Sequence, residues 1–106
     1  MILVTTDFIP GYRIDEVLDI ARGSTVRARH IGRDITAAFK SVVGGEIRAY
    51  TGLMADARED AIDRMIADAE RLDADAIINV RFMTSMVMQG SSEILAYGTA
   101  VRISKE

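Results

Sequence analysis

The chain has no cysteine and no tryptophan, and only one proline and one histidine, in 106 residues. Without cysteine there is no disulfide, no zinc-thiolate or iron-sulfur centre and no thiol nucleophile. With one histidine, no site can draw two imidazoles from the same chain. Positive charge is short as well: 13 Lys and Arg face 16 Asp and Glu, a net charge of -3. No overall field gathers phosphate, so a dedicated nucleic-acid binder is not expected. No apolar run is long enough to cross a bilayer, and the opening Met1 to Val4 is too short for the apolar part of a signal peptide. A cytoplasmic protein with no membrane partner is expected. Low-complexity tracts and linkers are absent too. What is present is a hydrophobic content of 49%, enough apolar surface to order residues 1–106 as a single domain.

The pattern of residues predicts an α+β fold. Ile2, Leu3, Val4, Thr5 and Thr6 read as a short strand, and Ile9-Pro10-Gly11-Tyr12 as a type II turn, with Pro10 pre-setting φ and Gly11 supplying the positive φ. Arg13 to Ile20 reads as a strand that turns at Arg22-Gly23-Ser24 and resumes at Thr25 and Val26. Asp34 is a good N-cap for a short helix carrying Ile35, Ala38, Phe39 and Val42, with Gly44-Gly45 as its stop. A longer helix follows, with Met54, Ala57, Ala61, Ile62, Met65, Ile66, Ala69 and Leu72 on one face. Its charged residues, among them Asp60, Arg64, Asp68 and Arg71, are expected in solvent. Ala76 to Met88 and Glu93 to Ile103 then form a hairpin about Gln89-Gly90-Ser91-Ser92.

That hairpin carries the clearest hint of function. Strand alternation places Ile78, Val80, Phe82, Met86 and Met88 on one face and Ile77, Met83 and Val87 on the other, so neither face is polar. Antiparallel sheets normally keep one wet face. One long and one short helix cover one side well and the other poorly, and the simplest remedy is a second copy of the chain, hence a homo-oligomer. The alternative is that the short helix and the N-terminal strand cover the second face.

Residues with chemistry are few. Met83, Met86 and Met88 resemble the thioether clusters that hold soft monovalent metals, but alternation sends Met83 away from the other two, which favours packing. His30 is flanked by Arg29 and Arg33, which disfavours a cation there. Between residues 22 and 40, Arg22, Arg27, Arg29, Arg33 and Lys40 outnumber Asp34, whereas residues 56–75 are strongly acidic, an asymmetry suited to orienting neighbouring copies. Gly44-Gly45-Glu46 lacks the downstream residues of a phosphate loop. Asp73 and Asp75, at a helix-to-strand junction, are an unspecific place for a hard cation. No base stands at a recognisable spacing from any hydroxyl, so the reading is of a non-enzymatic protein.

Thr5-Thr6, Ile9-Pro10-Gly11-Tyr12, Gly44-Gly45-Glu46 with Tyr50, Ala57-Arg58 with Ala61, Asp73-Ala74-Asp75-Ala76-Ile77, Val80-Arg81-Phe82 and Ala96-Tyr97-Gly98-Thr99-Ala100-Val101 occur in one order along nearly the whole chain. Together they resemble the YbjQ-like family of bacterial proteins. The resemblance implies a two-layer, dodecin-like β-α-β-β subunit with an antiparallel sheet, one long helix, one short helix and extra short strands. It also implies assembly into a ring of five, no established activity, and a label of heavy-metal binding, which makes a divalent or soft metal ion the candidate cofactor. Asp73 stands where the family commonly has glycine after the long helix. The matched polar residues Glu46, Tyr50, Arg58 and Arg81 are the candidate binding residues, placed at a boundary between subunits. The alternative function is a small-molecule-binding module with its ligand in an intersubunit cleft.

Overall fold

The computed structural model describes residues 1–28, 45–88 and 91–106, with the side chains of residues 27–28, 45–54 and 87 excepted. Strand β1 (Ile2–Leu3) is followed by β2 (Tyr12–Ala28), helix α1 (Gly45–Arg71), β3 (Ala76–Met88) and β4 (Ser91–Lys105). The four strands form one sheet in the order β1-β3-β4-β2. The three long strands are antiparallel, as expected, but β1 runs parallel to β3, so the sheet is mixed. The expected short helix, its Asp34 cap, its Gly44 stop and His30 lie outside the described residues. Gly45, read as part of that stop, is the first residue of α1.

The expected turn at Ile9-Pro10-Gly11-Tyr12 is present: Tyr12 N donates to Ile9 O at 3.1 Å and Gly11 has φ 83°. The turn expected at Arg22-Gly23-Ser24 is not, because β2 runs unbroken through it, paired with β4 from Tyr12 opposite Lys105 to Ala28 opposite Ser91. Gly23 has a different task. Helix α1 crosses β2 so closely that a Cβ at Gly23 would collide with the backbone of Ala61, Arg64 and Met65. Glycine is there for close approach of two backbones. The helix side of that contact is equally lean: Ala57, Ala61, Met65 and Ala69, spaced four apart, are fully buried against Ala21, Ile94, Ala96 and Ala100 of the sheet. Ile62 and Ile66, expected on this face, stand beside it, half-buried and in neither core cluster.

The helix ends in a Schellman motif. Ala74 N donates to Ala69 O at 3.1 Å, Asp73 N donates to Glu70 O at 3.0 Å, and Asp73 takes the left-handed conformation with φ 59°. Ala74 packs on the cluster that contains Ala69, the apolar contact that accompanies this motif.

Simple alternation fails at one place in β3. Asn79 has φ 54°, and the β3–β4 register shifts between Ile78 and Arg81. The resulting bulge swaps faces: Ile77 and Val80 share the helix side, while Ile78 joins Ala76 and Val101 on the other. Ile78 and Phe82 therefore do not share a face, as unbroken alternation had suggested. Ser91 and Ser92, read as turn residues, belong to β4.

Candidate functional site

Among the described residues, the side of the sheet away from α1 is covered at one end only. There the N-terminal segment folds over it, with Ile9 buried against Ala76, Ile78 and Val101, and with Ile2, Val4, Tyr12, Ile14 and Ile103 around them. Val4 N donates to Ile77 O, Val80 N to Val4 O and Asn79 N to Thr6 O, all at 2.9 to 3.0 Å, so the segment stays bound to β3 beyond the two residues of β1. This part of the alternative reading, with the N-terminal strand covering the second face, is what the structure has.

Further along, nothing among the described residues covers that same face. Cross-strand pairing puts Leu95 between Ser24 and Met83, Tyr97 between Arg22 and Arg81, and Glu93 between Val26 and Ser85. Leu95 and Tyr97 are half-buried, Val26 and Met83 are each 54% exposed, and Ile20 is 59% exposed. On the helix side α1 lies over β2 and β4, and Phe82 and Met86 of β3 stay exposed. Both faces of the ribbon thus expose apolar side chains away from the core, mixed on the face away from α1 with Arg22, Arg81, Glu93, Ser24 and Ser85.

A second feature is a polar cleft of about 590 Å³ between the end of α1 and β2, lined by Asp19, Ile20, Arg22, Asp68, Arg71 and Leu72. Asp68 is its centre. Its carboxylate accepts from Arg22 N at 3.0 Å and from the Arg71 guanidinium. These two contacts, the backbone N–H first, hold its pKa below the ordinary carboxylate value. One turn earlier the Arg64 guanidinium donates to Ser24 O at 2.5 Å. The charges expected in solvent at Arg64 and Asp68 are therefore joined to strand backbone. The signal was available: Arg64, Asp68 and Leu72 form a row beside the buried row of Ala61, Met65 and Ala69. With Asp68 paired to Arg71 and to the β2 backbone, and Asp19 accepting from Ile20 N, the cleft has the make-up of a helix-to-strand clamp.

Of the four candidate residues, Glu46 and Tyr50 lie in the first two turns of α1, and their side chains lie outside the described residues. Arg58 is exposed on α1, one turn before Ile62 and two before Ile66 on the same row. Arg81 is exposed on β3, where its guanidinium donates to Thr5 O at 2.8 Å and to Val80 O at 2.9 Å and so ties down the N-terminal segment. Arg81 pairs with Tyr97, on the face away from α1, so within one chain the sheet separates it from Arg58. Asp75, the other acid considered for a cation, accepts from Ile103 N at 2.9 Å and closes the end of β4.

The donors for a soft metal do not come together. Met83 lies opposite Leu95 and Met86 opposite Ser92, on different faces of β3, and a register shift precedes Met88. Among the described residues no three His, Asp or Glu side chains cluster, and cysteine is absent from the whole chain. Thiolate or multi-imidazole coordination has no set of ligands here.

Fold and surface define an α+β protein: a four-stranded mixed sheet with a long helix on one side and a ribbon that, among the described residues, exposes apolar side chains on both faces. The chain belongs to the YbjQ family, whose sequence model matches residues 1–104 and is described as "Putative heavy-metal-binding". It is 58% identical over 103 residues to a UPF0145 protein of Methanosarcina acetivorans, covering 97% of each chain. It is 53% identical over 105 residues to one of Colwellia psychrerythraea, covering 99% of this chain and all of that one. These names state no activity. In fold it is similar to a protein of unknown function from Pediococcus pentosaceus, with a TM-score of 0.64 at 18% identity over 98% of both chains.

Proposed function

We propose that this chain acts as the building block of a homo-oligomer, in which neighbouring copies cover the open sheet face that carries Ile20, Val26, Met83, Leu95 and Tyr97. The observation that carries the reading is that this face exposes Ile20, Val26 and Met83 and, among the described residues, has no second layer beyond the reach of Ile9. Exposed apolar side chains rimmed by polar ones mark an interaction surface. The row of Ile62 and Ile66 on α1, headed by Arg58, is a second strip of the same character. A closed ring of five copies is the assembly that the likeness to the family suggests. Glu46, Tyr50, Arg58 and Arg81 then belong to the boundary between copies, where charged residues set register and a small ligand finds a cleft. We assign no soft metal to that boundary, since its chemistry needs ligands that the described residues do not assemble.

Gel filtration with light scattering on the untagged protein tests this. The expected result is a stable species near five times the chain mass, weakened by Ile20→Glu, which leaves far-UV circular dichroism unchanged because Ile20 is exposed. A monomer at micromolar concentration would overturn the reading.

A further inference from the structure

A ring with an odd number of copies cannot be joined by two-fold contacts alone, so each copy must offer its two neighbours two different surfaces. The molecule carries two strips that differ in kind and match in chemistry. One is a row on α1. Residues four apart on a helix lie one above another, so Arg58, Ile62, Ile66 and Glu70 follow in line: a cation, two apolar side chains and an anion. Arg58 and Glu70 are exposed, and Ile62 and Ile66 are half-buried and in neither core cluster. The other strip runs along β4, an inner strand, on the sheet face away from α1. There Glu93, Leu95 and Tyr97 stand at every second residue, with Arg22 and Arg81 on either side of Tyr97. Its order is an anion, a leucine, and a tyrosine between two cations. The spacings agree as well: four residues of helix rise about 6 Å and two residues of antiparallel strand about 6.8 Å. With Arg58 over Glu93, Ile62 comes over Leu95 and Ile66 over Tyr97, and the mismatch at the far end is about 2 Å.

We infer that α1 of one copy lies along β4 on the open sheet face of the next, both running in the same direction, with Arg58 beside Glu93 and Glu70 beside Arg22 and Arg81. This rests on the homo-oligomeric reading and adds which surfaces meet and in which direction. The charges fix the direction. Turned end for end, the helix would set Arg58 against Arg22 and Arg81, and Glu70 against Glu93, and like charges across an interface disfavour that pairing. Because the two strips lie on opposite sides of the molecule, the contact is head to tail: each copy gives its helix to one neighbour and its sheet to the other, which is what ring closure needs. It also brings Arg58 and Arg81, separated by the sheet within one chain, to the same boundary.

Because the chain has no cysteine, introduced cysteines report the contact directly. Ile62→Cys and Leu95→Cys chains, mixed, reassembled and treated with a short bismaleimide, should give a covalent pair of unlike chains, and neither variant alone should cross-link. A chain carrying both cysteines should give a ladder on a denaturing gel that ends at the closed ring. Glu93→Arg should raise the concentration at which the assembly dissociates by about tenfold or more, and Arg58→Glu in the same chain should recover most of that loss, since the pair is then restored with its charges exchanged. Cross-links from Leu95→Cys alone would mean that two sheet faces meet about a two-fold axis, and would overturn the helix-on-sheet contact. If the wild-type protein is oligomeric while the mixed pair fails to cross-link and the exchanged charges recover nothing, the contact is wrong and the homo-oligomer stands. If the wild-type protein is a monomer, both fall.

Discussion

Gly23 of β2 lies against the backbone of Met65 on α1 with no room for a side chain between them. A strand residue and a helix residue 42 positions apart thus fix how deeply the helix sits in the sheet, and the alanines on either side of Met65 continue the same close approach. Adding even a methyl group must push two backbones apart. Gly23→Ala is therefore expected to destabilise the fold by about 2 to 3 kcal/mol, at the upper end of ordinary overpacking, read as a lower denaturant midpoint at fixed protein concentration. A change below half a kcal/mol would show that the crossing is loose.

Thr25 lies two residues on, on the same face, buried with no partner for its hydroxyl oxygen among the described residues. Valine has the same shape without the desolvated hydroxyl. Thr25→Val should raise stability by about 1 kcal/mol; a loss of that size would reveal a hydrogen bond to this hydroxyl.

Asp73 carries a side chain in a conformation that glycine adopts at no steric cost. Asp73→Gly is expected to stabilise the end of α1 by about 1 kcal/mol, visible as a higher thermal midpoint. Its carbonyl accepts from Arg102 at 3.1 Å, a contact the substitution leaves in place.

Asp68 joins α1 to β2 through Arg22 N, and its pKa is lowered by that bond and by Arg71. A carboxyl that is more acidic folded than unfolded adds stability above its unfolded pKa, about 3.9, and loses it as pH falls through the folded value. Denaturant curves for the wild type and Asp68→Asn should differ by about 1 kcal/mol near pH 7 and converge at acid pH. A gap that persists at pH 2 would show that the charge is not what matters.

Local chemistry decided much of this protein from the sequence alone. Pro10 and Gly11 dictate their turn by backbone sterics, and the hairpin and long helix follow from β-branched runs and from apolar residues spaced three and four apart. Its apolar character on both faces was legible for the same reason. The rest depended on residues far apart in the chain. Gly23 looks like a turn until a helix lies across it, and Arg64 and Asp68 look like solvent charges until a strand edge comes within reach. Asn79 bends into a left-handed conformation at the point where the N-terminal segment docks and Asn79 N meets Thr6 O, and that one bulge reassigns the faces of β3. That the outward groups of Arg22 and Ser24 on β2 are met by Asp68 and Arg64 is likewise a tertiary property, because a backbone group is satisfied only by what the fold brings beside it.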